Sequence, residues 1–317
     1  MFTIGGSANG FEAGLVQMQT IKMSMPNDFQ FAPTVLSHGW CELPPFYYNE
    51  SNRTLERLEC LNDGNVVNLL IRQEQADNTL KITILGLDKP LTHQQHGEVT
   101  SIICRCFNLD QDLKDFYNFL QGKERYRWIS TIGAGRLLVA PTVWENLVKT
   151  LLTTNTTWNV TVQMCHRLVK LGTSDNSGKY CFPTAQQIAR FTLDELTEQI
   201  RAGYRSAYLH QLATAIHEGT LDVETWVDEM MSENLYYKVK SLKGFGDYAA
   251  GSMLKLLGRF ERIGIDTACR EVFRVQLNNG IKASDPEIQA YYEPFGKWRG
   301  LVMWMDVMQV NLISKNF

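Results

Sequence analysis

The sequence predicts an α+β protein in which an N-terminal antiparallel β-sheet domain with flanking helices precedes an all-α domain. Three observations predict this: strand-like runs dominate up to about residue 103, helical spacing takes over after Pro141, and 317 residues suit two domains better than one. With 44% hydrophobic and 21% charged residues, the composition is that of a soluble globular protein. We expect a loosely ordered N-terminal segment at 1–28, the sheet domain at 29–125 and the helical domain at 126–317.

The sheet domain is predicted from two runs, 65–72 and 80–85, that are rich in Val, Ile and Leu. The turn pair Asp63-Gly64 introduces the first run, and a polar segment separates it from the second. Such runs are typical of an antiparallel sheet with one solvated face. Helical spacing predicts a helix at about Val99–Cys106 and another that begins near Asp110.

The helical domain begins with an apolar stripe, formed by Trp144, Leu147 and Leu151, on one face of a predicted helix. A Thr or Ser followed three residues later by Glu is a capping-box signature of a helix start. It occurs at Thr142/Glu145, Thr192/Glu195 and Ser284/Glu287. Helices are therefore expected from about 142 to 313.

Composition and spacing exclude several classes of function. The seven cysteines are odd in number and include no CxxC, so we expect buried free thiols in a reducing cytosol. No His and carboxylate residues show metal-ligand spacing, and neither a metal nor another cofactor is expected. The apolar runs are too short for a membrane span, and no signal peptide or membrane partner is expected. The net charge of −3 does not by itself indicate a nucleic-acid binder.

The segment from Leu235 to Leu254 carries the sharpest signal. A helix pattern runs to Leu242, the run Lys243, Gly244, Phe245 and Gly246 turns the chain, and a second helix starts near Asp247. The glycines permit positive φ, Asp247 suits an N-cap, and small residues at 249–252 would let the two helices approach closely. Bare amides at a helix start suit a phosphate, whereas an ordinary helix–turn–helix corner is the alternative.

Asp266 follows the apolar run Ile263-Gly-Ile265 and directly precedes a new helix pattern. An Asp at that position is by default a helix N-cap. A carboxylate at a helix start, near a phosphate-binding hairpin, can instead stabilise an oxocarbenium-like sugar and orient a water molecule. The residues alone leave both interpretations open.

The run from Leu242 to Ala250, with Ile265-Asp266 about twenty residues later, resembles the helix-hairpin-helix (HhH-GPD) motif of the base-excision DNA glycosylase superfamily. The resemblance extends from about residue 29, and 29–116 looks like the N-terminal sheet domain of 3-methyladenine DNA glycosylase II and 8-oxoguanine DNA glycosylase. It implies an all-α helix-hairpin-helix DNA glycosylase domain. It also implies a partner, double-stranded DNA with a damaged base, which is flipped out before its N-glycosidic bond is cleaved.

The resemblance also implies roles for single residues. Asp266 matches the catalytic aspartate, and 243–247 match the hairpin that grips the DNA backbone, often with a monovalent cation on its carbonyls. Asn155 matches a residue that fills the gap left by the flipped base. Tyr204 and Arg205 match residues that wedge beside the orphaned partner base and hydrogen-bond to it.

Departures from the family pattern narrow the implied reaction. Bifunctional members carry a lysine nucleophile where this chain has Tyr248, so β-lyase cleavage should be absent and the enzyme monofunctional. No four-cysteine cluster follows Asp266, which excludes the iron–sulfur branch. The usual motif proline is missing, since Lys243 and Gly264 stand where proline is common.

The base pocket is predicted from aromatic residues, because a flipped base is held by stacking and cation–π contact. Tyr248, Trp158 and Trp304 are expected to line the pocket. Core packing is the alternative for Trp304, and Trp298 is expected to pack in the core. Gly300 stands where the 8-oxoguanine enzyme would have a glutamine, so an alkylated purine such as 3-methyladenine is the predicted lesion. An oxidised- or deaminated-purine glycosylase and a non-catalytic lesion-binding module are alternatives. We expect a monomer, in the cytoplasm (nucleoid) of a bacterium or in the nucleus or an organelle of a eukaryote.

Overall fold

The computed structural model describes residues 17–74, 78–87, 89–175, 177–228 and 231–316. Within them, one sheet and a larger set of helices share a continuous hydrophobic core, which confirms the α+β class. No described helix combines the length and the apolar character needed to cross a bilayer.

The sheet is antiparallel throughout and has the order β1-β5-β4-β3-β2. Its strands are β1 (Gln17–Ser24), β2 (Phe46–Asn49), β3 (Thr54–Cys60), β4 (Val66–Glu74) and β5 (Thr79–Leu87). Along β4, Val67, Leu69 and Ile71 are fully buried while the residues between them are half-buried. This alternation directs one face of the sheet to the core, as the sequence predicts.

The N-terminal segment differs from the expected loose order. Residues 17–24 form the edge strand β1, which pairs with β5 from Ser24 opposite Thr79 to Gln17 opposite Leu87. Only Thr20 and Ile21 of its eight residues are β-branched, so its sequence carries little strand signal. The beginning of the segment, 1–16, lies outside the described residues.

Helices supply most of the remaining structure. They are α1 (Phe31–Val35), α2 (His93–Cys106), α3 (Lys114–Leu120), α4 (Arg127–Ile132), α5 (Val143–Thr153), α6 (Trp158–Leu168), α7 (Ala185–Ala189), α8 (Leu193–Ile200), α9 (Arg205–His217), α10 (Ser232–Ser241), α11 (Asp247–Leu256), α12 (Thr267–Val272), α13 (Asp285–Tyr292) and α14 (Arg299–Asn316). α2 begins six residues before the predicted Val99, because Thr92 and Gln95 form a reciprocal cap. α3 begins at Lys114 and not near Asp110, because Asp112 Oδ1 accepts from the Lys114 N–H at 2.8 Å in a turn.

The predicted helix starts at 142, 192 and 284 are confirmed, but one capping box is incomplete. Thr142 Oγ1 accepts a hydrogen bond from the Glu145 N–H at 3.1 Å, as an N-cap does. The Glu145 carboxylate does not turn back to cap Thr142. It points inward and accepts hydrogen bonds from the two terminal guanidinium nitrogens of Arg57, at 3.0 and 2.7 Å.

This inward carboxylate belongs to a buried charge cluster that joins the sheet to α5. Arg57 comes from β3, and Lys149, one turn after Glu145, places Nζ 2.7 Å from the same carboxylate. Glu59 also pairs with Arg57. Burial alone would raise the pKa of Glu145, yet Arg57 and Lys149 beside it hold that pKa below its ordinary value. The cluster therefore links the two parts of the chain through satisfied charges.

Candidate active site

A cavity of about 770 Å³ opens where the sheet part of the chain meets the helices. Its walls come from the 3-10 turn Gly39–Glu42, from the α5–α6 junction and from α11, α12 and α14. Five residues predicted from the sequence lie on these walls: Asn155, Trp158, Tyr248, Asp266 and Trp304. Both predicted domains therefore build the cavity.

Asp266 stands at the start of α12 and lines the cavity. Its Oδ1 accepts a hydrogen bond from the backbone N–H of Cys269 at 2.7 Å, so the residue is the helix N-cap. Among the described residues, no donor lies within hydrogen-bond distance of Oδ2. The two interpretations of Asp266 are thus compatible, because one oxygen caps the helix while the other is available to a ligand.

Two glycines bring the loop before Asp266 against α11. A Cβ on Gly251 would stand 2.8 Å from the carbonyl oxygen of Ile263, and a Cβ on Gly264 would stand 2.7 Å from that of Tyr248. The loop can lie this close only because both side chains are absent. Gly251 of α11 therefore admits this loop, a contact that the sequence did not predict, while α10 and α11 also pack together as expected. Gly264 stands where the family usually has proline, and the same close contact accounts for glycine at this position.

α11 presents three polar side chains to the cavity at helical spacing: Tyr248, Ser252 and Lys255. The Tyr248 hydroxyl lies 3.4 Å from Oγ1 of Thr153. Burial raises the pKa of Tyr248, so its phenol is neutral at pH 7. A neutral hydroxyl can donate a hydrogen bond at this position, but it cannot form the imine that a lysine amine forms.

Lys255 is a site residue that the sequence reasoning missed. It follows Tyr248 by two helical turns, and this spacing is the one signal that could have identified it. Lys255 is 7% exposed, and its Nζ lies 3.1 Å from the centroid of the Trp304 ring. Burial lowers the pKa of Lys255 to about 7, although the nearby Asp266 acts in the opposite direction. The cavity therefore presents an amine, seated on a tryptophan face, to whatever enters it.

Hydrogen bonds fix the two predicted pocket tryptophans. Nε1 of Trp304 donates to the carbonyl oxygen of Ser37 at 2.9 Å, and Nε1 of Trp158 donates to Oε2 of Glu42 at 2.7 Å. Trp158 also lies against Gly39, where a Cβ would stand 2.2 Å from the indole ring. Both rings line the cavity, so core packing does not account for the position of Trp304.

Trp298 and Gly300 lie outside the cavity. Trp298 packs against Phe116 and Phe260, at centroid distances of 5.2 and 5.9 Å, as expected of a core residue. Gly300 donates its N–H to the carbonyl oxygen of Phe260 at 2.8 Å. The inference from Gly300 to a missing pocket glutamine is therefore wrong, because this residue does not line the pocket. On α14, Asn311 supplies a cavity-lining amide.

The predicted hairpin joins α10 to α11. Gly244 has a φ of +88°, and a Cβ there would stand 2.7 Å from side-chain atoms of both Leu151 and Tyr208, so the turn requires glycine. Gly246 has a φ of −91° and open space beside it, contrary to the expected positive φ. Phe245 is buried and anchors the turn in the core. Gly244 and Phe245 therefore fix the turn, whereas Gly246 leaves open space beside it.

Asp247 is the first residue of α11, and Gly246 is the N-cap, so the predicted Asp247 cap is wrong. The extended backbone of Gly246 already begins the helix one residue earlier. The Asp247 carboxylate lies 2.5 Å from Lys240 Nζ and accepts from the Tyr236 hydroxyl at 2.5 Å, which lowers the pKa of Asp247. These contacts tie α10 to α11 at the exposed end of the hairpin, beside the exposed Lys243.

Asn155, which lines the cavity, forms an exposed pair with Tyr204. Asn155 Nδ2 donates to the Tyr204 hydroxyl at 3.1 Å, and Tyr204 is 48% exposed. Arg205 does not join this surface: it is buried, and its guanidinium donates to the carbonyl oxygens of Thr154 and Asn155, each at 2.9 Å. This corrects the expected contact of Arg205 with an orphaned base. Arg205 instead supports the backbone of Asn155, whose φ is +47°.

Metal ligands do not cluster in the part of the chain that the structure describes: no group of three or more His, Cys, Asp or Glu could hold an ion. The seven cysteines are free thiols, and five of them are buried. A monovalent cation on the hairpin carbonyls stays a prediction.

Part of the helical region matches a known protein family. Residues 148–293 match the model of the HhH-GPD superfamily base excision DNA repair protein. The fold is similar to that of 3-methyladenine DNA-glycosylase from Archaeoglobus fulgidus, with a TM-score of 0.73 and 18% identity over 92% of this chain and 98% of that one. It is also similar to 8-oxoguanine glycosylase/lyase from Clostridium acetobutylicum in complex with double-stranded DNA, with a TM-score of 0.70 and 16% identity over 94% and 98%. No curated protein sequence matches the chain.

Proposed function

We propose that this protein is a monofunctional DNA glycosylase, because residues 148–293 match the HhH-GPD superfamily of base excision DNA repair proteins. Its substrate is double-stranded DNA in which one damaged base is flipped into the cavity. The observation that carries the proposal is the Asp266 carboxylate, which keeps one oxygen available inside an aromatic cavity next to the hairpin.

The hairpin and the Asn155–Tyr204 pair supply the contacts that a flipped nucleotide requires. Gly246 and Asp247 are exposed at the start of α11, and at Gly246 a backbone phosphate can approach without meeting a side chain. Asn155 lines the cavity and is hydrogen-bonded to the exposed Tyr204, so this pair can fill the gap that the flipped base leaves in the duplex. We therefore assign the phosphate contacts to the hairpin and the gap filling to the Asn155–Tyr204 pair.

The chemistry requires charge stabilisation at C1′. The C1′–N bond breaks with its electron pair leaving on the base, and positive charge develops on the sugar. Oδ2 of Asp266 stabilises that charge and orients a water molecule, whose oxygen bonds to C1′ while the carboxylate accepts its proton. The proton then passes to the departing anion of a neutral purine, or to solvent when a cationic purine leaves as a neutral base. The capping bond to Cys269 holds Oδ1, so the carboxylate keeps its direction without reorganisation.

The absence of a β-lyase step is supported by Tyr248. In the position of the family lysine this residue offers a buried, neutral phenol. A phenol cannot form a Schiff base with C1′, and so the abasic product should leave without strand cleavage.

Two classes of damaged purine are candidates. Trp158, Trp304 and Tyr248 surround the base with aromatic surface, which suits an alkylated purine such as 3-methyladenine. A neutral oxidised or deaminated purine is the second candidate, favoured by the amine of Lys255 and the amide of Asn311 on the same wall. The names of the two similar structures include one enzyme of each kind, for 3-methyladenine and for 8-oxoguanine.

The proposal is tested with duplex oligonucleotides that each carry 3-methyladenine, hypoxanthine, 8-oxoguanine or uracil. We expect strand breaks only after alkali treatment, and only from a damaged purine. Breaks that appear without alkali would contradict the monofunctional mechanism. Tight binding of the lesions without any base release would favour the non-catalytic binding module.

A further inference from the structure

We propose that Lys255 reads the flipped base: its Nζ donates a hydrogen bond to a carbonyl acceptor on a neutral damaged purine and discriminates against cationic alkylated purines. This inference rests on the proposed glycosylase function and deepens it by naming the class of lesion.

The position of Lys255 on α11 favours contact with the base. Along α11 it lies seven residues beyond Tyr248, which corresponds to about 10 Å at 1.5 Å per residue. Tyr248 is at the hairpin end of the helix, where the DNA backbone would lie, and its carbonyl contacts the loop before Asp266. A nucleotide whose C1′ stands near Asp266 therefore extends its base toward Lys255.

The environment of Lys255 is unusual for a structural lysine. The residue is 7% exposed, and among the described residues Nζ has neither an ion-pair nor a hydrogen-bond partner. A buried amine without a polar partner is costly, and burial accordingly lowers the pKa of Lys255 to about 7. Its side chain lines the cavity, with Nζ over the Trp304 ring. A carbonyl oxygen on a bound base would supply the partner that the protein does not.

The same amine opposes a cationic base. Nζ lies 3.1 Å from the centroid of Trp304, so the aromatic face that could attract an alkylated purine cation already carries the lysine. A second positive charge in the same cavity would be repelled by the protonated amine. Of the other charged groups that line the cavity, Asp266 is committed to the sugar, while Glu42, Arg270 and Lys315 are exposed.

The test compares the wild type with Lys255→Met, which removes the donor and the charge at similar length, and with Lys255→Gln, which keeps an N–H donor without the charge. Excision rates are measured for hypoxanthine and 8-oxoguanine, which are neutral, and for 7-methylguanine, which is cationic. We expect Lys255→Met to lower the rate on the neutral lesion about 10- to 100-fold and to raise the relative rate on 7-methylguanine. Lys255→Gln should retain more of the neutral-lesion rate than Lys255→Met.

Lys297→Met is the matched control, because Lys297 also lies over a tryptophan, Trp298, but outside the cavity. It should leave both rates unchanged. Equal loss on neutral and cationic lesions in Lys255→Met would overturn the inference, and so would no change on either. A borohydride-trapped adduct that Lys255→Met abolishes would also overturn it, because the amine would then attack C1′.

A second readout separates this inference from the glycosylase proposal. Affinity is measured for duplexes that carry 2′-fluorinated versions of the same nucleotides, whose glycosidic bonds resist cleavage. If the wild type releases no base but Lys255→Met still loses its preference for the neutral lesion, the glycosylase proposal fails and base reading by Lys255 stands. If base release occurs but this preference is the same in both proteins, only the inference fails.

Discussion

At the residue scale, Asp266 and Lys255 share one cavity but are placed there by different constraints. The backbone places Asp266, through its capping bond and the contact between Gly251 and Gly264. Lys255 is placed by the helix phase of α11 and by its contact with Trp304. Asp266 could be predicted because a cap and a motif are local in sequence. Lys255 could not, because whether a helical lysine is buried depends on Trp304, which is distant in the chain.

The buried amine of Lys255 should make the protein less stable than it could be. A lysine whose folded-state pKa is lowered from 10.5 to about 7 binds its proton more readily when unfolded. The resulting penalty is complete below pH 7 and disappears as the pH rises toward 10.5. Lys255→Met should therefore raise the Tm at pH 7 by roughly 2–5 °C, and the gain should shrink by pH 10. Thermal unfolding at both pH values checks this, and a gain that grows with pH would contradict it.

At the element scale, the hairpin shows which parts of a motif are structural. Gly244 and Gly246 were both predicted to permit a positive φ, but only Gly244 adopts one. The sequence could not separate the two, because the difference depends on Leu151 and Tyr208, which crowd Gly244 from other helices. Gly246 faces open space, so its lack of a side chain matters for what approaches from outside.

Alanine substitutions should separate these two roles. Gly244→Ala should destabilise the protein by about 2–4 kcal/mol, since it combines an unfavourable φ with two contacts at 2.7 Å. Gly246→Ala should change the free energy of unfolding by less than about 1 kcal/mol but weaken the binding of undamaged duplex DNA. Denaturant unfolding and fluorescence anisotropy measure the two effects. Equal stability losses in the two variants would contradict the assignment.

At the scale of the whole molecule, the charge cluster joins the sheet to the helices that hold the site. Arg57 and Glu145 are 88 residues apart in the chain, and the motif logic assigned Glu145 to a cap. The fold class, the helix starts and the hairpin were predictable because their signals are local. The cluster, the edge strand β1 and the buried position of Arg205 were not, because each depends on partners that the chain brings together only on folding.

Removal of one charge from this cluster should destabilise the whole molecule. Glu145→Gln would leave Arg57 and Lys149 buried without their carboxylate, and we expect a loss of about 3–5 kcal/mol in the free energy of unfolding. Glu195→Gln, at the exposed cap of α8, is the control and should cost about 1 kcal/mol or less. Urea denaturation of the two variants gives the comparison. Similar losses would show that the cluster contributes no more than a surface cap.

The free oxygen of Asp266 carries the proposed chemistry, and Asp266→Asn tests this role. Asparagine is also a good N-cap, so the helix start should be preserved while the negative charge is removed. Single-turnover excision is measured on the lesion that the wild type releases fastest, together with affinity for the same duplex. Asp194→Asn, an exposed acid on α8, serves as the control. We predict a rate loss of about 100- to 10,000-fold with affinity changed only a few-fold. An Asp266→Asn variant that excises at the wild-type rate would contradict the account.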